Sequence, residues 1–205
     1  MRSAEEENPR YIPKENADMP TDPTKKRIWR ILRSEPGPDL RIFRSRFDWM
    51  ENPRNRKVLQ ALILEARDWV NVVALTPEKK LLAVRQFRFG VRKFSLEVPA
   101  GLVDPGETPL QAAQRELLEE TGCAAGEWKF LGWSFANPAF LNNRAHHFLA
   151  VDARRTQPPQ PEDGEDLECF ELTLEEARDA IRTERMRNAM TLLALSKVFD
   201  MREEA

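Results

Sequence analysis

The chain has 205 residues, 41% of them hydrophobic, and a formal net charge of −2. That is enough apolar material for one catalytic domain with a modest extension, while the near-balanced charge gives no global pull on nucleic acid and no apolar run is long enough to span a bilayer. The N-terminal residues lack the apolar stretch of a secretory signal, so the cytoplasm is the expected compartment.

Taken in chain order, residues 1–27 are rich in Pro, Asn and charge and predict a mobile arm with no catalytic role. Residues 28–66 form a small β-rich extension, with short strands expected at 29–32, 40–43 and 59–64 between Pro- and Asn-containing turns. Residues 67–205 carry the main domain. Its strands are expected at 69–75, 81–89 and 94–98, then at 128–135, 145–151 and 167–172 beyond a helix. Two helices close the chain, one capped by Thr173 with Leu174, Ala177 and Ile181 at helical spacing. The other carries Met186, Met190, Leu193 and Val198. Cys123 and Cys169 belong to no CxxC pair and fit buried reduced thiols. His146 and His147 are adjacent on a strand, so they point to opposite faces and do not form a chelating pair.

The helix in the middle of the chain is the chemically distinctive element. Thr108 is its candidate N-cap, Pro109 its first residue and Gly122 its stop, which places it at about 109–121. Glu116, Glu119 and Glu120 share one face, beside an apolar stripe of Leu110, Ala113 and Leu117. Like charges at this spacing repel by roughly 0.2–0.5 kcal/mol per pair, so a positive partner is expected. Hard carboxylate oxygens suit Mg²⁺, with Mn²⁺ as the second choice. A solvated acidic helix face is the plain alternative for the cluster alone.

The spacing decides between them. Gly101, Glu107, then Arg115-Glu116-Leu117-x-Glu119-Glu120-x-Gly122 resembles the complete box of the Nudix hydrolases, with Cys123 in a position that is usually aliphatic. From residue 69 through residue 199 the chain looks most like the ADP-ribose pyrophosphatase branch of that family. The similarity rests on Val84–Arg88, on Leu96–Gly101, on Pro138 fifteen residues after the box, and on an acidic loop at 161–166. Around Pro138 the text is Asn137-Pro138-Ala139-Phe140, where the branch often has glycine after the proline, and the departure bears on the terminal sugar.

The resemblance implies an α/β protein with the Nudix fold, an α/β/α sandwich with a mixed β-sheet behind the β-rich extension. It also implies metal-dependent hydrolysis of the pyrophosphate bond of ADP-ribose or a related nucleoside diphosphate sugar, with a GDP-mannose-type substrate and a non-catalytic nucleotide sensor as alternatives. The implied metal set is Glu116, Glu119, Glu120 and the Ala100 carbonyl. Arg115 orders the carboxylates, Gly101 and Glu107 shape the loop, and Arg88 and Pro138 contact substrate. Glu165 in the acidic loop is the implied general base, with Glu162, Asp163, Asp166 and Glu168 close by. Trp29 or Trp49 is a candidate for stacking on the base. A homodimer built on residues 28–66 is implied as well, and no basic stripe or stacking motif points to nucleic acid.

Overall fold

Strand β4 (Trp69–Leu75) explains the architecture, because both of its faces are buried. Val70, Val72 and Ala74 point into one apolar cluster together with Leu82, Ala112, Ala113, Leu117 and Phe148. Val73 points the other way, into a second cluster with Leu81, Ala83, Ala177, Met186, Ala194 and Leu195. A two-residue period carrying apolar side chains on both sides requires a covering layer on each face. The helices supply those layers, giving an α/β/α sandwich.

The structure is a computed structural model and describes residues 28–161, 164 and 166–200. Around β4 lie β5 (Leu81–Arg88), β6 (Lys93–Glu97), β7 (Ala100–Leu102), α1 (Pro109–Thr121), β8 (Cys123–Ala124), β9 (Glu127–Phe135), β10 (Arg144–Val151), β11 (Arg154–Arg155), β12 (Leu167–Leu172), α2 (Leu174–Arg182) and α3 (Ala189–Ser196). The main sheet runs β12-β5-β4-β10-β9, with β6 paired to β5 and β7 to β4. It is mixed: β10 lies parallel to β4, setting His146 beside Val70 and Phe148 beside Val72, whereas β12, β6 and β7 pair antiparallel. Helix α1 covers the first cluster, and α2 and α3 cover the second. Among the described residues no helix is long and apolar enough to cross a membrane.

The chain divides into two compact units. One comprises residues 28–35 and Phe47–Ala61 of the described chain, and the other comprises Pro36–Arg46 and the residues from Leu62 onward. The extension contributes β1 (Arg30–Asp39), β2 (Arg44–Glu51) and β3 (Val58–Glu65), paired in that order. Within the first unit, Ser34 Oγ donates to Asp48 at 2.6 Å, and Arg33 lies 3.9 Å over the ring of Trp49.

Three expectations are corrected here. The apolar run 40–43 is a turn between β1 and β2, closed by Leu40 N–H donating to Phe43 O at 2.8 Å, with Arg41 at φ 70°. Strand β2 follows it, although its sequence, RSRFDWME, gives little apolar signal. At the C-terminus, Met186 lies before the last helix and Val198 after it. That helix starts where the Asn188 side chain accepts from Met190 N and Thr191 N, so Asn188 resets the helical register.

Candidate active site

Helix α1 begins and ends as its local chemistry dictates. Thr108 Oγ1 accepts from Gln111 N at 3.3 Å while Gln111 Oε1 accepts from Thr108 N at 2.8 Å, and Pro109 contributes its fixed φ. At the other end Gly122 takes φ 69° and returns its N–H to Leu118 O. Its own carbonyl accepts from Thr156 N and Gln157 N, and a Cβ here would stand 2.0 Å from the Gln157 oxygen. One element of the expected stripe shifts: Leu110 is exposed, and Ala112 joins Ala113 and Leu117 in the core.

The positive partner required by the acidic face is Arg115, on the same helix. Its guanidinium donates to both oxygens of Glu107 at 2.9 and 3.0 Å, to Glu116 Oε1 at 2.8 Å, to Glu119 Oε2 at 3.0 Å and to the Leu102 carbonyl at 2.9 Å. The Glu107 hydrogen bonds, followed by the charge of Glu116, hold the guanidinium proton more tightly than usual. In return the Arg115 hydrogen bonds hold the Glu107 carboxyl below its ordinary range. Glu107 also accepts from Asp104 N, which pins the loop to the helix.

Two carboxylates of α1 press against the strand that precedes it. The Glu116 carboxylate lies so close to Gly101 that a Cβ there would stand 1.9 Å from Glu116 Oε1, so any larger residue would displace that carboxylate. Glu120 is 1% exposed and accepts from Ala100 N at 3.1 Å. The Ala100–Gly101 backbone, Glu116 and Glu120 therefore meet at one spot.

Beside that spot is a cleft of about 350 Å³ whose lining includes Trp69, Asn71, Arg88, Glu97, Ala100 and Gly101. Arg88 enters it as half of an ion pair: its Nε and Nη2 donate to the two oxygens of Glu97 at 3.0 and 2.7 Å. Glu97 is 2% exposed, and burial alone would raise its pKa. The Arg88 hydrogen bonds and charge outweigh that and hold it below the ordinary carboxylate range. Arg85, by contrast, makes a surface pair with Glu168 at 2.7 Å.

A second network braces the loop from the far side. Asp68 accepts from Arg144 N and pairs with His146 Nε2, each at 2.8 Å, while its backbone carbonyl accepts from Val103 N. Arg67 bonds Asp104 and accepts from Asn143 Nδ2. His147 is fully buried and pairs with Ser134 at 2.8 Å, so the two adjacent histidines do serve separate partners.

Of the residues singled out in the sequence, Ala100, Gly101, Glu107, Arg115, Glu116, Glu119 and Glu120 come together around α1, and Arg88 shares the adjoining cleft with Ala100 and Gly101. Pro138 is exposed in the turn where Leu141 N donates to Asn137 O, and it is not part of that cleft lining. Glu165, Glu162 and Asp163 lie outside the described residues. Sequence reasoning missed the roles of Glu97 and Asn188. The signal for Glu97 was a carboxylate inside the apolar run Leu96-Glu97-Val98, where only a paired charge is tolerated.

The side-chain oxygens at this spot, from the Glu116 and Glu120 carboxylates, are hard donors and fit Mg²⁺ or Mn²⁺ chemically. The steric vacancy at Gly101 admits the Glu116 carboxylate to it. Among the described residues no three His, Cys, Asp or Glu groups stand together closely enough to hold an ion by themselves, and Glu107, Glu116 and Glu119 each bond Arg115.

The family model described as NUDIX domain matches residues 66–193. The methanol dehydrogenase activator of Bacillus methanolicus is 33% identical over 159 residues, covering 76% of this chain and 84% of the relative. The ADP-ribose pyrophosphatase of Bacillus subtilis (strain 168) is 32% identical over 142 residues, covering 69% and 77%. A solved ADP compounds hydrolase superposes with a TM-score of 0.73 at 24% identity, covering 83% of this chain and 91% of that one.

Proposed function

We propose that this chain, which belongs to the Nudix family, hydrolyses the pyrophosphate bond of ADP-ribose or a closely related nucleoside diphosphate sugar in a metal-dependent reaction. The observation that carries this reading is the Arg115-centred cluster: the guanidinium gathers Glu107, Glu116 and Glu119 while Glu116 and Glu120 meet the Ala100–Gly101 backbone. Pyrophosphohydrolase chemistry is that of the family, and the name of the Bacillus subtilis relative supports the substrate class.

In the proposed reaction a water oxygen bonds to one phosphorus, the bond from that phosphorus to the bridging oxygen breaks, and a nucleoside monophosphate and a sugar phosphate leave. Glu116, Glu119, Glu120 and the Ala100 carbonyl would hold Mg²⁺ or Mn²⁺, which when bound offsets phosphate charge and makes water a better nucleophile at neutral pH. Arg115 keeps the carboxylates from repelling one another and fixes the helix against the loop. Arg88 offers a planar cation to a phosphate at the mouth of the cleft. Glu165 takes the proton from water, and Pro138 bounds the sugar side. The working unit is a homodimer in the cytoplasm.

The test is phosphate release, coupled to a phosphatase, from ADP-ribose, GDP-mannose, UDP-glucose, NADH, diadenosine polyphosphates and capped RNA with Mg²⁺. The panel is run with wild type and with Glu120→Gln. Turnover of ADP-ribose is expected, with kcat reduced about a thousandfold or more in the variant. A winning GDP-mannose would move the substrate to the alternative sugar nucleotide, and no turnover with tight binding of one compound would make the chain a sensor.

A further inference from the structure

Arg88 does not stand alone at the cleft. Its Nε–Nη2 edge is held by a carboxylate that is itself buried and further bonded. Glu97 ends β6, is 2% exposed, and gains additional stabilisation from the Ser95 and Asn188 side chains. Asn188 is the cap of α3, and the next turn of that helix accepts from Val98 N through Thr191 Oγ1 at 3.2 Å. Helix α3 is buried through Ala194 and Leu195 in the second core cluster. A continuous chain of contacts therefore runs from the packed core through Asn188 and Glu97 to the guanidinium of Arg88. Arg88, Glu97 and Asn188 also line both the 350 Å³ cleft at Ala100–Gly101 and a neighbouring cleft of about 930 Å³, so they form a wall shared by the two.

A long arginine side chain on a strand end loses rotamer entropy when it binds an anion, and a fixed fork removes that cost beforehand. The fork also fixes which edge is used. With Nε and Nη2 directed at Glu97, the Nη1 side of the planar group faces away from the carboxylate. We propose that Glu97 is a positioning residue for diphosphate binding: anchored to α3 through Asn188, it holds Arg88 so that the guanidinium meets the substrate phosphate without reorganising. The inference rests on the proposed hydrolase reading and adds to it a residue that does not itself touch substrate.

Positioning of a binding group predicts a split between kinetic constants. With the full-length protein, Mg²⁺ and ADP-ribose, Glu97→Gln is expected to raise KM about tenfold while kcat stays within about threefold. Arg88→Gln is expected to raise KM at least as far. The double variant Arg88→Gln/Glu97→Gln is expected to match Arg88→Gln alone, because Glu97 acts only through Arg88. The double variant also removes the buried charge left by Arg88→Gln and should recover Tm, so it stays informative if Glu97→Gln alone does not fold. An unchanged KM in folded Glu97→Gln, or a double variant whose KM rises by the product of the single effects, overturns the inference. Absence of turnover of every compound in the panel by wild type removes the hydrolase reading and this inference with it. Wild-type turnover with multiplying single effects removes only the inference.

Discussion

The site contains two arginine–glutamate forks with similar distances and opposite surroundings. Arg115 sits at a hub where Glu107, Glu116 and Glu119 all remain in reach of water, their side chains being 21%, 11% and 34% exposed. Arg88 faces one carboxylate that is almost wholly buried. The comparison separates two uses of one side chain. In the hub arginine cancels repulsion among groups that water could also solvate, so its removal is felt mainly in their arrangement. In the wall it neutralises a buried charge that water does not reach, so its removal is felt first in the fold.

That contrast can be broken by thermal unfolding. Arg88→Ala strands the Glu97 carboxylate and is expected to destabilise by about 3 kcal/mol, lowering Tm by roughly 10 °C, whereas Arg115→Ala is expected to cost only about 1 kcal/mol. Equal losses of Tm would erase the distinction. A second substitution sharpens the hub side. In Gly101→Ala the new methyl displaces the Glu116 carboxylate, and kcat should fall about a hundredfold with little change in Tm, since a misplacement of this size near the reacting atoms costs about that much. Retained kcat would show that Glu116 can move without consequence.

The smallest expected effect concerns a buried group with no arginine. Burial, with Lys197 and His146 adding repulsion, holds the His147 pKa down to about 4 from 6.5. Between those values the unfolded chain carries the extra proton. The stability from keeping this histidine neutral is therefore complete above 6.5 and is lost as pH falls toward 4. Glu97 and Glu107 have pKa values lowered from 4.5, and Asp68 from 3.8, so their losses begin near the foot of that interval and continue below it. Wild type should thus lose about 2 kcal/mol between roughly pH 6.5 and 4.5, and His147→Gln should flatten most of that slope in Tm. A wild-type Tm constant over the interval would contradict it.

The hub was legible in the sequence and the wall was not, for a physical reason. Helix α1 has start and stop signals in neighbouring residues, and its four charged groups lie within six positions of one another, so spacing alone sets their geometry. The wall joins β5, β6 and the cap of α3, ninety residues further on, and only packing brings Asn188 to Glu97. Strand β4 was readable from its apolar run, as was β12. Strand β1 was readable only at its start, in the expected strand at 29–32, because it runs on through Pro36-Gly37-Pro38. Its place at the edge of the three-stranded sheet leaves one side without ladder bonds, and proline is tolerated there.

The C-terminal end of α1 bears on how the domain could be rebuilt. Gly122 O accepts from Thr156 N and Gln157 N, and Glu119 O accepts from Gln160 N, so the segment leading to residues 161–166 is stitched to the same helix that carries the carboxylates. A loop graft intended to change the proposed proton acceptor should be spliced after Gln160, past the last of these hydrogen bonds among the described residues. A graft begun before Thr156 would cut those stitches and disturb the carboxylate helix along with the loop.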